Sequence, residues 1–195
     1  ILLFEKGGPE QTLPTLQAAR SRAEELGIGH VVLATSTGET ALKALDVFEG
    51  TGVKVIGVTL QAGLWEVYTG PDRQKVAAAR ERGAVILTAS HALMGNLEAA
   101  IREKFGGVPP VELIAHTYYT FSQGMKVAVE VAMMAADAGL IPIDGEVIAI
   151  GGTGEGADTA VVLSPTYTNR FFDLRVREVI AMPRCPGCGR TINTD

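Results

Sequence analysis

Short apolar runs alternate along the chain with longer segments in which apolar residues recur every three or four positions. The run His30–Ala34 has the length and composition of a buried strand. The segment Thr12–Leu26 has helical spacing, and Gly27 follows it where a helix commonly ends. The same order recurs several times. The pattern therefore predicts a parallel sheet with helices on both faces.

The complete pattern predicts the following elements. The predicted strands cover residues 30–34, 53–59, 84–88, 146–150, 159–163 and 175–182, and the predicted helices cover residues 12–26, 41–48, 72–82, 93–105 and 122–138. Residues 61–70 are predicted to be a loop, and residues 111–121 are ambiguous. Little helix separates the last two strands, which favours an antiparallel hairpin at one edge of the sheet.

Composition narrows the class of protein. The 195 residues are 47% hydrophobic and 20% charged, which is typical of one soluble globular domain. We expect residues 1–184 to form that domain and residues 185–195 to form a short tail. The net charge of −5 argues against a nucleic-acid partner, and no basic amphipathic helix indicates a membrane partner. Two cysteines provide no disulfide scaffold, so we expect a cytoplasmic protein.

The polar turn from Thr35 to Thr40 is the first candidate site. It joins a predicted strand to a predicted helix, and it contains Ser36, Thr37 and Gly38. Free N–H groups and hydroxyls at such a position suit a phosphate. The alternative is that Ser36 or Thr37 only caps the helix.

A glycine-rich segment, residues 151–156, follows the strand at 146–150. A Rossmann dinucleotide loop is disfavoured, because a strand rather than a helix is predicted after it. The segment is either a flexible hairpin turn or a loop whose backbone approaches a ligand. Asp158 is expected to orient backbone N–H groups of this loop.

The helix predicted at residues 122–138 is almost wholly apolar. Its charged residues Lys126, Glu130 and Asp137 fall within about 40° of one another on a helical wheel. They form either the single solvated edge of the helix or a polar stripe that reaches the ligand crevice. With His91, which follows a predicted strand, they are candidate catalytic residues.

Two further features are open to more than one interpretation. Trp65 and Tyr68 can stack on a planar ring, or they can serve as lid packing or an oligomer contact. Cys185 and Cys188 form a Cys-Pro-Gly-Cys-Gly knuckle of the kind that binds zinc. A second cysteine pair is missing, so the zinc site would be shared between two chains or completed by a distant histidine, or else the knuckle binds nothing.

The pieces in this order resemble a known family. Residues 31–41 (VVLATSTGETA) and 54–59 (KVIGVT) look like the C-terminal domain of pyruvate kinase. The stretches at 123–127, 134–142 and 151–160 are closer still to stand-alone archaeal and bacterial proteins called pyruvate kinase alpha/beta domain-like. The resemblance covers roughly residues 10 to 184.

The resemblance implies a three-layer, doubly wound α/β fold. Its mixed sheet would have about five main strands, the last antiparallel. In pyruvate kinase this domain binds a phosphorylated sugar effector between the Ser/Thr turn and the late glycine loop. The resemblance carries this role over to Thr35, Ser36, Thr37, Gly38 and Thr40, with the glycine loop as the second wall through Gly152, Thr153, Gly154 and Gly156. We expect Glu39 and Thr59 to contact the ligand as well. The kinase chemistry belongs to a (β/α)₈ barrel of about 250 residues, so the resemblance implies no pyruvate kinase activity here.

Three hypotheses follow. The leading one is a domain that binds a phosphorylated small molecule, such as flavin mononucleotide (FMN) or a nucleotide or sugar phosphate. The second is an enzyme that acts on a phosphorylated metabolite through Lys126, Glu130, Asp137 and His91. The third is a structural module that oligomerises through a shared zinc at Cys185 and Cys188. We expect a homo-oligomer, because small α/β domains with a crevice often form dimers or larger assemblies.

Overall fold

The structure is a computed structural model that describes residues 1–68, 70 and 72–184. The strands of this part are β1 (Leu2–Phe4), β2 (His30–Ala34), β3 (Lys54–Val58), β4 (Val85–Leu87), β5 (Val147–Gly151), β6 (Thr159–Ser164) and β7 (Arg175–Pro183). The α-helices are α1 (Thr12–Leu26), α2 (Glu39–Val47), α3 (Ala62–Tyr68), α4 (Arg73–Glu81), α5 (Leu97–Phe105), α6 (Pro110–Tyr119) and α7 (Gln123–Asp137). Pro9–Gln11 and Thr168–Asp173 are 3-10 helices. None of the helices in this part of the chain is long and apolar enough to cross a membrane.

The strands form one mixed sheet in the order β1-β7-β6-β5-β2-β3-β4. Strands β5, β2, β3 and β4 are parallel, whereas β6 is antiparallel to both of its neighbours. The mixed α/β fold and the antiparallel hairpin are thus confirmed. The sheet is wider than about five strands, because β7 and the three-residue β1 pair at its edge.

Alternation along the strands divides the core between the two faces of the sheet. Val31 and Leu33 of β2 face α1, α2 and α4, whereas Val32 faces the side of α6 and α7. Helix α7 is buried along most of its length because its residues are mainly alanine, valine and methionine. The result is the three-layer arrangement that the sequence predicts.

Two local predictions are wrong. Residues 62–68 form α3 rather than a loop, and this helix lies against the turn after β2. Helix α5 begins at Leu97 instead of residue 93, because the N–H groups of Leu93 and Met94 donate to Glu130. The ambiguous segment is helix α6, and α2 begins two residues earlier than predicted.

The topology creates a crevice at the carboxyl ends of the parallel strands. The chain passes from β2 to β3 and β4, then returns through α5, α6 and α7 to place β5 on the other side of β2. Ligands of open α/β sheets bind where the strand order reverses in this way. That point lies between the ends of β2 and β5.

Candidate functional site

Three parallel strands end in threonine at the same level of the sheet. The N–H of Thr35 donates to the Val58 carbonyl at 2.8 Å, and the N–H of Thr59 donates to the Leu87 carbonyl at 2.9 Å. The hydroxyls of Thr59 and Thr88 are 2.7 Å apart. Extending the β2–β5 register places Gly152 beside Thr35. A row of hydroxyls and a glycine therefore forms the floor of the crevice.

The turn after β2 leads into α2. Several of its hydrogen-bonding groups have only a distant protein partner or none among the described residues. The hydroxyl oxygens of Thr35 and Thr37 accept only long hydrogen bonds, from the N–H groups of Ala41 at 3.3 Å and Glu39 at 3.4 Å. Within the described residues, the N–H groups of Gly38 and Thr40 have no hydrogen-bond partner. Such free donors at a helix N-terminus are the elements of an anion site.

The Thr40 side chain adds a hydroxyl to this turn. Thr40 is 7% exposed, and its hydroxyl has no hydrogen-bond partner in the described part of the chain. Helical Cα–Cβ bonds tilt toward the helix N-terminus, so this second residue of α2 leans toward the free N–H groups.

Gly38 sets the shape of the turn. Its φ of 89° lies in the left-handed region, which favours glycine. A Cβ atom built on Gly38 would lie 2.8 Å from the backbone nitrogen of Val76. The N-terminus of α4 therefore packs directly against the turn, and no larger residue fits between them.

Charged and aromatic side chains surround the turn. The Glu39 carboxylate is 2.5 Å from the Lys75 ammonium of α4 and 3.1 Å from the Lys43 ammonium. These hydrogen bonds, that from Lys75 first, hold the pKa of the Glu39 carboxyl below its usual value. The indole N–H of Trp65 donates to the Ser36 carbonyl at 2.5 Å, so α3 is held close to the turn.

The glycine loop after β5 forms the neighbouring wall, and Asp158 anchors it. Asp158 is fully buried and accepts the N–H groups of Thr153 at 3.0 Å and Gly8 at 3.1 Å. It orients loop N–H groups, as expected. A Cβ at Gly152 would lie 2.3 Å from the Gly156 carbonyl oxygen, so the loop closes tightly on itself. Strand β6 follows the loop, as the sequence predicts.

Lys126, Glu130 and His91 meet on the α7 side of the crevice. Lys126 is 4% exposed and Glu130 1% exposed, and the Lys126 ammonium lies 2.5 Å from Oε2 of Glu130. Oε1 of Glu130 accepts the N–H groups of Leu93 at 2.8 Å and Met94 at 3.1 Å. Lys126 and Glu130 are thus buried and do not form a solvated edge.

The electrostatics of this cluster stabilise an ionised glutamate. Burial alone raises the pKa of the Glu130 carboxyl, but His91 and Lys126 outweigh it and hold the pKa at about 2. Nδ1 of His91 is 3.4 Å from Oε2 of Glu130, and Nε2 is 3.1 Å from the Thr59 carbonyl oxygen. Both ring nitrogens are therefore directed at protein oxygens.

Asp137 does not join the cluster. It lies eleven residues beyond Lys126, which is about 16 Å along the helix. Its carboxylate accepts the Thr168 N–H at 3.0 Å and the Thr168 hydroxyl at 2.7 Å. A shared angle on the helical wheel did not place these residues at the same height.

Other predicted features lie outside the part of the chain that the structure describes. These are Cys185, Cys188 and the side chain of Tyr68. Across residues 1–68, 70 and 72–184, no group of three histidine, cysteine or acidic side chains is placed to hold a metal ion. An open groove of about 790 Å³, lined by residues that include Leu2 and Arg22, lies at the β1 edge of the sheet and contains none of the crevice residues.

Sequence reasoning missed Thr88, Lys43 and Lys75. A signal for Thr88 was present, because residues 32–35 (VLAT), 56–59 (IGVT) and 85–88 (VILT) each end an apolar run in threonine. Parallel strands of similar length place such endings side by side. The sequence carries no comparable signal for Lys75, because only the packing of α4 against Gly38 brings it to the turn.

Two comparisons relate this chain to pyruvate kinases. The structure is similar to a solved pyruvate kinase of Cryptosporidium parvum in complex with ADP, with a TM-score of 0.36 and 14% sequence identity. The match covers 77% of this chain and 22% of that pyruvate kinase, so this chain spans about a fifth of the length of the larger protein. Residues 14–163 match the family model of the pyruvate kinase alpha/beta domain, and the chain therefore belongs to that family.

Proposed function

We propose that this domain binds a phosphorylated small molecule in the crevice at the carboxyl ends of β2 to β5. The observation that carries the proposal is the unsatisfied N-terminus of α2. Free N–H groups at Gly38 and Thr40 and the Thr40 hydroxyl lie at one turn. Phosphate oxygens are acceptors, and the positive end of the helix dipole favours their charge.

The glycine loop and Trp65 would contact the rest of the ligand molecule. The glycine loop begins beside Thr35. Gly154 has open space where a side chain would lie, whereas protein atoms fill that space at Gly152 and Gly156. Trp65 is partly exposed and lies against the turn, where its ring can stack on a planar group. A mononucleotide such as FMN has both a phosphate and a planar ring, and a sugar phosphate has only the first.

Binding is better supported than catalysis at Lys126, Glu130 and His91. The ammonium of Lys126 is paired with Glu130, and Nε2 of His91 is directed at a backbone carbonyl. A general acid or base needs an atom free to exchange a proton with the substrate. The described geometry leaves these groups occupied by one another, so we assign them to the support of the crevice. We expect no pyruvate kinase activity from this chain.

Ligand titration tests the proposal. Trp65 is the only tryptophan, so its fluorescence reports on the turn. FMN and inorganic phosphate are titrated into wild type and into the Thr37→Val, Thr40→Val double variant. We expect the variant to weaken binding at least about tenfold, since two hydroxyl contacts are lost. Native mass spectrometry of the purified protein would reveal a ligand that is retained.

The control variant is Thr117→Val. Thr117 lies on α6, where its exposed hydroxyl donates to the Leu113 carbonyl. It removes the same kind of group at a distance from the turn, and we expect wild-type affinity. Equal affinity of the double variant and wild type would refute the site assignment.

A further inference from the structure

We propose that Glu39 occupies the place of the ligand's charge in the free protein, and that Lys43 and Lys75 transfer from its carboxylate to the phosphate when the ligand binds. The inference rests on the proposed function and narrows its ligand class. A site with two movable ammonium groups suits a dianionic phosphate monoester better than a monoanionic diester.

The carboxylate of Glu39 lies between two lysine side chains at the start of α2. Glu39 is the first residue of α2, next to the free N–H groups of the turn. Its two carboxylate oxygens are used separately, Oε1 by Lys43 at 3.1 Å and Oε2 by Lys75 at 2.5 Å. One carboxylate thus holds two ammonium groups beside an unsatisfied helix N-terminus.

The packing of α4 against Gly38 brings Lys75 to the turn. A Cβ on Gly38 would lie 3.1 Å from Cβ of Lys75. The lysine side chain therefore starts directly beside the amide that the phosphate would contact. Asp72 is 3.8 Å from the Lys75 ammonium, but its carboxylate already caps α4 by accepting the N–H groups of Gln74 and Lys75.

The ion pairs of Glu39 are weak, so the two lysines can change partner easily. The side chains of Glu39, Lys43 and Lys75 are each 44–45% exposed. Ion pairs at this exposure contribute little to stability, because solvent screens them and flexible side chains lose entropy. An exchange of partner therefore opposes binding only weakly.

The charge of the ligand decides which class of phosphate suits this site. A phosphate monoester has a second pKa near about 6 and is mainly dianionic at neutral pH. Its oxygens can accept hydrogen bonds from both lysines and also from the free N–H groups and the Thr40 hydroxyl. The Glu39 carboxylate satisfies only the two lysines. Among the described residues, the N–H groups of Gly38 and Thr40 have no protein partner, so they are available to the phosphate.

The test measures phosphate affinity from amide chemical shifts of residues 37–41 at pH 7.5. The probes are inorganic phosphate and dimethyl phosphate, and the variants are Lys75→Met and Glu39→Gln. We expect Lys75→Met to weaken phosphate binding about tenfold, because one charge-assisted hydrogen bond is lost. We expect Glu39→Gln to strengthen it severalfold, because the competing carboxylate is gone.

The control is Lys54→Met, which removes an exposed lysine at the start of β3, at the opposite end of the strand from the crevice. It lowers the net charge by the same amount, and we expect it to bind phosphate nearly as wild type does. Dimethyl phosphate should bind wild type at least about tenfold more weakly than phosphate, since it carries a single charge.

The outcomes separate the two proposals. Phosphate binding at residues 37–41 that is unchanged in Lys75→Met and Glu39→Gln would overturn the role of Glu39 and leave the proposed function standing. Equal weakening in Lys75→Met and Lys54→Met would overturn it too, because net charge alone would explain the loss. Failure of wild type to bind phosphate or FMN at the turn would overturn the proposed function itself.

Discussion

The two sides of the crevice use similar side chains in opposite ways. On the α2 side, Glu39 and Lys43 form an exposed pair four residues apart, beside free N–H groups. On the α7 side, Lys126 and Glu130 form a pair with the same spacing, but both are buried. Glu130 also accepts two backbone N–H groups.

The two sides differ in how many of their hydrogen-bonding groups already have protein partners. Every carboxylate oxygen of Glu130 has a protein partner, so a ligand would have to break contacts in a medium where unpaired charge is very unfavourable. The turn after β2 has donors without partners and charges that water already screens. We therefore interpret the α7 side as a fixed support and the α2 side as the ligand-binding face.

The largest expected effect comes from the paired variants Lys126→Met and Lys43→Met. Loss of Lys126 leaves the Glu130 carboxylate buried without its ammonium partner, which we expect to lower the free energy of unfolding by about 3–5 kcal/mol. Loss of Lys43 should lower it by less than about 1 kcal/mol, because the pair is exposed. Urea denaturation measures both. Similar losses would show that burial does not distinguish the two pairs.

The free energy of unfolding should depend on pH in the acid range because of Glu130. Its pKa is about 2 in the folded protein against a usual value of 4.5. A depressed pKa gives stability that is complete above about pH 4.5 and is lost as the pH falls through about 2. The shift corresponds to about 3 kcal/mol.

The Glu130→Gln variant removes this titration. Its free energy of unfolding should therefore differ from that of wild type by most at neutral pH, and the difference should shrink on acidification to pH 3 and below. Denaturant titrations from pH 7 to pH 2.5 measure it. A difference that stays constant over this range would contradict an ionised Glu130 as the source of stability.

Two glycine variants give a smaller effect on the α2 side. Gly38 and Gly27 have φ of 89° and 67°, but only Gly38 has protein atoms within contact distance of an added Cβ. Gly27→Ala should cost about 1 kcal/mol from backbone strain alone. Gly38→Ala should cost about 2–3 kcal/mol, because α4 must also move. Thermal denaturation compares them, and equal costs would show that α4 does not press on the turn.

The smallest expected effect is that of Trp65→Phe. The variant keeps an aromatic ring and loses the hydrogen bond to the Ser36 carbonyl, at a cost of about 1 kcal/mol. We expect a severalfold loss of FMN affinity, followed by flavin fluorescence, with little change in phosphate affinity. An equal loss for both ligands would mean that Trp65 shapes the phosphate turn itself.

Local patterns predicted the regular elements well. The bounds of α1 and β2 follow from apolar spacing and from Gly27, and the structure has the same bounds. Periodicity missed α3, because this helix has only seven residues and its position depends on the contact of Trp65 with Ser36. It also placed the start of α5 too early, since a long-range contact with Glu130 keeps residues 93 and 94 out of the helix.

The candidate site was partly predictable for the same reason. The turn from Thr35 to Thr40 is a local feature, so its residues are contiguous and visible in the sequence. The cluster of Lys126, Glu130 and His91 combines residues from two distant segments, and only the fold brings them together. The wheel angle grouped Asp137 with them because it ignores distance along the helix axis.

Amide chemical-shift mapping with inorganic phosphate tests the central contrast most directly. The account predicts that the N–H signals of Gly38, Glu39 and Thr40 shift on titration, whereas those of Leu93 and Met94, which are bound to Glu130, stay in place. Shifts at Leu93 and Met94 without shifts at the turn would contradict it. The saturated α7 side would then be the ligand-binding face, and the free donors of α2 would have no part in binding.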